Sequence, residues 1–391
     1  MESTNKSNII SNLFINIISK NIMKKIFNNL NQNILFNIIK YNKYIQNKLD
    51  IGINDYKSYR KIEIEIIPLP QKDIKKASKF INISNEQYFH IYFNEDKNET
   101  KKNYFTEEDK VKKIKIIIDE EIKSFSGLFY ECDCIEKIYF IKFNRKDIDN
   151  MDNMFFGLRS LKEISLKYFK ADNATSMHQM FWGCSSIKEL NFENFNTKSL
   201  INMSGMFNYC TSLKKLNLNN FNTSNVKYMS FMFSECTSLE ELNINQIDVS
   251  NLIDIEEMFW KCENLKKLNL NNFSNNKITN MNRTFMDCTS LEEINFDNFN
   301  TDNVCDMNEL FRGCSSLKKL DLRSFNTSNV IGMDRMFFEC SALKEIKFNE
   351  FNTNKVEDNA LMFYKCGAKI IIKDKEKTNF YFPNIKKRQF Y

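Results

Sequence analysis

Glycine and proline are scarce in this chain, at 8 and 3 of 391 residues, and histidine is scarcer still at 2. So few glycines and prolines exclude an architecture of long, punctuated loops, and the connections must be short and regular. No G-x-G-x-x-G, P-loop or G-x-S-x-G sequence is present to cradle a phosphate or expose a nucleophile. His90 and His178 stand in no H-x-x-x-H or H-E-x-x-H setting, and Cys132 and Cys134 form no C-x-x-C pair, which removes the usual zinc spacings. No run of about 18 apolar residues occurs, so no membrane span is expected. The first twenty residues carry an apolar patch without a basic leader or a small-residue cleavage site, and read as unprocessed. These absences point away from an enzyme and call for no cofactor or metal.

Excess charge of one sign is missing as well. The net charge of +6 resides entirely in the N-terminal third, where residues 1–120 hold 21 Lys and Arg against 15 Asp and Glu; the remainder holds 35 of each. A duplex binder needs a clustered basic stripe to displace counterions, so no nucleic-acid partner is expected.

Phenylalanine and methionine, by contrast, are abundant at 36 and 17, and the phenylalanines are spaced. Phe129, Phe155, Phe181, Phe207, Phe233, Phe259, Phe285, Phe311, Phe337 and Phe363 each follow the last by 26 residues, with no insertion or deletion. Three residues after this marker comes a cysteine in every unit except that of Leu158, and six after it, from Leu161 to Leu343, a leucine or isoleucine opens an L-x-x-L-x-L segment. A second phenylalanine column, fourteen after the marker, includes Phe195, Phe221, Phe299 and Phe325, and is replaced once by Ile247. It is usually followed by Asn-Thr.

Each unit therefore reads as a short strand, a turn through Phe-Asn-Thr, a helix of about ten residues and a tight return through Cys-x-Ser. The helix is predicted from the 3-to-4 spacing of Val226, Met229, Met232, Phe233 and Cys236, with Thr223 and Ser224 as N-cap. One unit cannot hide its apolar face, but units stacked in register can, because equivalent side chains then form continuous internal columns. The expected fold is α/β: a leucine-rich-repeat-like solenoid with a parallel sheet on one face and short helices on the other, plus a small N-terminal helical segment.

In this stack the cysteine column serves packing, since each unit adds one thiol and no histidine series accompanies it. Stacked free thiols also suit a reducing compartment, so the chain is expected inside the cell, in the cytoplasm, with the cell surface as alternative. Eight residues after the marker the charges alternate through Glu189, Lys215, Glu241, Lys267, Glu293 and Lys319. Neighbouring strands place these side by side, where opposite signs favour the register. Two residues further, Asn191, Asn217, Asn243, Asn269, Asn295 and Asp321 form a second exposed column. Together these twelve residues are the candidate partner-binding face, polar and close to neutral. Tyr130, Phe156, Trp182, Trp260, Phe338 and Tyr364, just after the marker, are expected to pack between successive helices.

Residues 121–368 thus hold ten repeats. Residues 1–50 read as helical, with Ile22, Ile26 and Leu30 on one face and Leu35, Ile38, Ile45 and Leu49 on another. Residues 51–120 form a strand-containing linker and N-terminal cap, Val111 to Asp119 being the strand expected to cover the first rung. Residues 369–391 supply a cap strand at Ile370–Ile372 and a basic tail, Lys386-Lys387-Arg388.

The unit M-F-x-x-C-x-S-L-K-x-L-x-L-x-x-F-N-T-S-x-V-x-x-M-x-x resembles the BspA-like surface-protein repeat, a leucine-rich family that includes the Mycoplasma-type lipoprotein repeats. That resemblance implies a solenoid binding protein or host matrix, with no catalytic residues. It differs from ordinary leucine-rich repeats in placing phenylalanine where L-x-x-L-x-L-x-x-N has asparagine. Residues 22–49, with their Ile-Phe-x-x-Leu core, are similar to an F-box, which implies docking onto a Skp-type linker of a ubiquitin ligase. Three functions follow: a non-catalytic scaffold that binds a protein, or a glycan, on the strand face; a ubiquitin-ligase substrate receptor; and a surface adhesin.

Overall fold

The computed structural model describes residues 42–50, 53–70, 73, 77–192, 195–372 and 375–377. Most of the F-box-like segment and the basic tail lie outside these residues. Among the described residues two helices come first, α1 (Lys43–Leu49) and α2 (Ile53–Arg60). α1 begins at Asn42, whose side chain accepts the amide of Ile45, and it buries Ile45 and Leu49.

An N-terminal cap follows, built on β1 (Ile62–Pro68), β3 (Phe89–Phe93), β5 (Ile114–Ile118) and β6 (Ile135–Lys142), with a short pair β2 (Ser78–Lys79) and β4 (Tyr104–Phe105). The strand order β3-β5-β1-β6-β7 joins cap and array in one sheet, β7 being Glu163–Ser165. β1 alternates Ile62, Ile64 and Ile66, all fully buried, with intermediate Glu63 and Glu65, the period of two expected of a strand with one face in the core. The strand expected to cover the first rung is present as β5, but one place removed. β1, arriving from earlier in the sequence, pairs antiparallel with both β5 and β6 and so separates them.

From β6 onward the chain is a leucine-rich-repeat-like solenoid. Its strands are β8 (Lys215–Asn217), β9 (Glu241–Asn243), β10 (Lys267–Asn269), β11 (Glu293–Asn295), β12 (Lys319–Asp321) and β13 (Glu345–Phe348), each beginning 26 residues after the last. Pairing is parallel, with Lys215 opposite Glu241, Lys267 opposite Glu293 and Lys319 opposite Glu345. β14 (Lys369–Ile372) continues the sheet where the last strand is expected, after a step of 24. β15 (Lys375–Lys377) then turns back antiparallel and covers the outer edge.

The side opposite the strands carries no helices among the described residues of the array, contrary to the expectation from spacing. In the unit around Phe233, the amides of Met229, Phe231, Phe233 and Glu235 donate to carbonyls of Asp254, Glu256, Met258 and Trp260 in the next coil. The intervening amides of Met232, Ser234 and Cys236 donate three residues back. Half of the donors are thus committed between coils, and an α-helix, which needs each amide four residues back, cannot form. The chain makes consecutive turns instead, and Val226, Met229, Met232, Phe233 and Cys236 still point inward, each at most 1% exposed. A further ladder of isolated parallel bridges runs from Ser124 through Asn202 and Asp306 to Asp358.

The core is ordered as columns. Ring centroids of the ten marker phenylalanines lie 5.1–5.9 Å apart from coil to coil with planes within 24° of parallel. The second column stacks likewise at Phe169–Phe195, Phe195–Phe221, Phe273–Phe299 and Phe299–Phe325. Burying each such ring contributes roughly 1.5–3 kcal/mol, which every coil sets against the entropy of ordering its own residues.

Candidate recognition face

The side chains of the charge column stand in water on the strand face, where burial of leucines between them fixes their direction. In β8, Leu216 is buried while Lys215 and Asn217 are exposed. Lys215 meets Glu241 at 2.5 Å and Lys267 meets Glu293 at 2.9 Å, while Lys137 meets Glu163 at 3.0 Å in the first coil pair. Each lysine is held above its ordinary pKa first by the hydrogen bond to that carboxylate. The alternation in the sequence thus pairs neighbouring strands at these rungs, while Glu345 turns to Lys347 of its own strand at 3.5 Å instead of to Lys319, and pairs this exposed stabilise little. A parallel column one residue earlier repeats the pattern, with Lys162 on Glu136 at 2.9 Å.

The amide column lies beside it, at the strand ends. Asn217, Asn243, Asn269 and Asn295 each accept, through Oδ1, the backbone amide two residues on, at 3.1, 3.4, 3.1 and 2.9 Å. Asp321 does the same for Arg323 at 3.2 Å and also binds its guanidinium, which lowers the carboxyl pKa. These side chains make the turn that leaves the sheet.

Of the twelve residues named from the sequence, Glu189, Asn191, Lys215, Asn217, Glu241, Asn243 and Lys267 line one shallow, open depression of about 1030 Å³. Glu293, Asn295 and Asp321 line a second, of about 550 Å³. Asn269 and Lys319 border neither.

Sequence reasoning missed the hydrogen-bonding role of the cysteines. From Cys184 to Cys340 the thiol of each column cysteine donates to the carbonyl of the marker phenylalanine 29 residues earlier, as in Cys236 to Phe207, Cys262 to Phe233 and Cys288 to Phe259, all at 3.1 Å, whereas Cys132 in the first coil donates to Tyr130. Burial pushes the Cys236 and Cys288 thiols up to about 12, which leaves them unreactive. A constant cysteine three residues after a constant buried phenylalanine was the available signal. Thr284, in another column, shows what a hydroxyl does in this interior, donating to carbonyls of Ile255 and Met281.

The Asn-Thr turn carries a similar device in place of the expected N-cap. The Thr223 hydroxyl donates to the carbonyl of Asp248 and accepts its amide, both at 2.8 Å, and Asn225 reaches back to the carbonyl of Lys198 at 2.9 Å. On the opposite edge the aromatic column packs between coils: Tyr130 on Phe156 at 4.7 Å, Phe156 on Trp182 at 4.2 Å and Phe338 on Tyr364 at 4.9 Å. His90 lies far from the strand face in sequence and bonds Glu99 and Asp119 in the cap, at 3.1 and 3.3 Å.

Four overlapping segments, residues 101–191, 123–217, 183–294 and 261–374, match the family described as "Mycoplasma protein of unknown function, DUF285". The chain belongs to this family. The match bears out the resemblance to Mycoplasma-type repeats and reaches into the cap at residue 101. No curated protein matches the chain. Among solved structures, a leucine-rich repeat protein from Bacteroides ovatus is similar at 14% identity and a TM-score of 0.42, over 76% of this chain and 81% of that one. A leucine-rich cell surface protein from Faecalibacterium prausnitzii is similar at 16% identity and a TM-score of 0.23, over 58% and 77%. The TLR13–ssRNA13 complex is similar at 18% identity and a TM-score of 0.28, over 64% and 38%. In this family member no helix among the described residues is long and apolar enough to cross a membrane.

Proposed function

We propose that this chain is a non-catalytic recognition scaffold whose strand face engages an extended macromolecular partner. The reading is supported by one observation above all: a polar, self-neutralising face repeats coil after coil at constant register, and ten of its twelve expected residues line two adjoining depressions. Stability alone does not require that uniformity, because the phenylalanine, cysteine and threonine columns already join the coils. Affinity capture from native lysate tests the reading, comparing the full chain with a Lys215→Ala, Glu241→Ala, Lys267→Ala variant. The partner recovered by the unaltered chain is expected to be lost from the variant while thermal unfolding stays unchanged. Equal recovery by both would remove the strand face from the function.

An intracellular, cytoplasmic location is part of the proposal, supported by eleven free cysteines. Cys305 is the exposed one among them and reports on compartment. A membrane-impermeant maleimide is expected to label Cys305 only after cells are lysed. Labelling on intact cells would select the surface alternative instead.

A further inference from the structure

The amide column has a property that the turns do not consume. Asn217, Asn243, Asn269 and Asn295 spend Oδ1 on the turn, which fixes the plane of each amide. The Nδ2 groups, each with two protons, make no hydrogen bond among the described residues. In-register pairing sets Asn217 opposite Asn243 and Asn269 opposite Asn295, so the donors repeat at the spacing of parallel strands, about 4.7–4.9 Å. They form a pre-oriented row running along the array.

Three further facts restrict what such a row can hold. The flanking lysines are already paired with glutamates, at 2.5 and 2.9 Å, so the face offers little net attraction to an anion. Both depressions are open and shallow; their aromatics, Phe192 and Phe296, are each 3% exposed, and the arginine of the second, Arg323, is held by Asp321 at 2.7 Å. Protein interfaces draw most of their affinity from aromatic and arginine anchors in desolvated pockets, which are missing here. An extended peptide repeats its same-side groups every 6.6 Å or so, and falls out of step with the coils within two of them.

From this we infer that the strand face binds a linear, uncharged, hydroxyl-rich polysaccharide laid along the solenoid, one sugar ring to a coil. The inference rests on the recognition face proposed above and names its ligand class. A ring in an extended β-1,4-linked glycan spans nearly one coil and is turned over relative to the next, so equivalent oxygens return to the donor row every second coil, with oxygens of the opposite ring edge meeting the Nδ2 groups between them. Hydroxyl protons in turn find the carboxylates of Glu241 and Glu293.

The experiment uses the full chain, with soluble mixed-linkage β-glucan as probe in affinity electrophoresis and β-1,4-linked gluco-oligosaccharides of two to six units in calorimetry. Retardation by the glucan is expected, insensitive to added salt, with affinity rising up to four units to match the four amides. The variant Asn243→Asp, Asn269→Asp keeps the oxygen that the turn needs, as Asp321 does in the native chain, and removes the donors. It is expected to weaken binding at least tenfold at a salt concentration where the like charges of adjacent coils are screened and the unfolding midpoint stays within a few degrees of the native one. Absence of binding to the neutral glucan, binding to heparin that fades with salt, or equal binding by the variant would each overturn the inference. If the glucan does not bind but the aspartate variant also loses the partner captured from lysate, the recognition face stands and the glycan falls. If lysate capture is unaffected too, both fall.

Discussion

At the scale of single residues, each coil stores strain at two fixed places. The residues two before and two after each marker phenylalanine have left-handed backbones, among them Phe231 and Glu235, or Leu361 and Lys365. Glycine occupies only some of these positions. At Gly313, with φ +72°, an added Cβ would also stand 2.2 Å from the Asp287 carboxylate, whereas at Gly127, with φ +62°, the nearest atom is 3.7 Å away. Gly313→Ala is therefore expected to cost about 2 kcal/mol and Gly127→Ala about 1, measured by urea unfolding. Charge is the other residue-scale lever. Burial raises the pKa of Asp306, whose carboxylate accepts the amide of Asn308 at 2.8 Å; Asn150, Asn202 and Asn280 make the same turn uncharged. A carboxyl with a raised folded pKa incurs no penalty below its ordinary value and a growing one as pH climbs through the folded value. Asp306→Asn is expected to raise the melting temperature at pH 7, and the gain should vanish below about pH 4.

At the scale of the element, the sequence displayed which residues face inward but not how the backbone takes them there. A 3-to-4 spacing of apolar residues is what a helix needs, and also what a run of tight turns needs when every second amide is claimed by the next coil. The spacing of Val226, Met229, Phe233 and Cys236 cannot separate the two, because the deciding partners lie 25 residues away in sequence. The strands were legible for the opposite reason: the leucines and the alternating Glu189, Lys215 and Glu241 repeat at an interval that only parallel pairing explains. Thr223 was legible as a capping residue and wrong in its partner, since its hydroxyl serves Asp248 in the next coil rather than a helix of its own. Thr223→Val leaves that amide and carbonyl unpaired and should lower stability by roughly 1–3 kcal/mol in denaturant unfolding.

At the scale of the molecule, a stack of coils needs both ends closed, since an open edge invites another chain. β15 closes one end and the cap sheet the other, and Arg145 ties that cap to the array. Its side chain is fully buried and donates to the carbonyls of Asp119 and Ile122, at 2.9 and 2.5 Å, and to Asp147 at 3.0 Å. Arg145→Met strands these acceptors and is expected to cost about 3 kcal/mol, read as an earlier urea midpoint. The stack itself is tested most directly by distances between spin labels on the charge column, in a Cys305→Ser background. Labels at Glu189 and Lys267 lie three coils apart, at Glu189 and Lys319 five, and at Glu189 and Glu345 six. Stacking requires separations of about 14, 24 and 29 Å, a constant rise per 26 residues; separations out of proportion to the number of coils between the labels would contradict it.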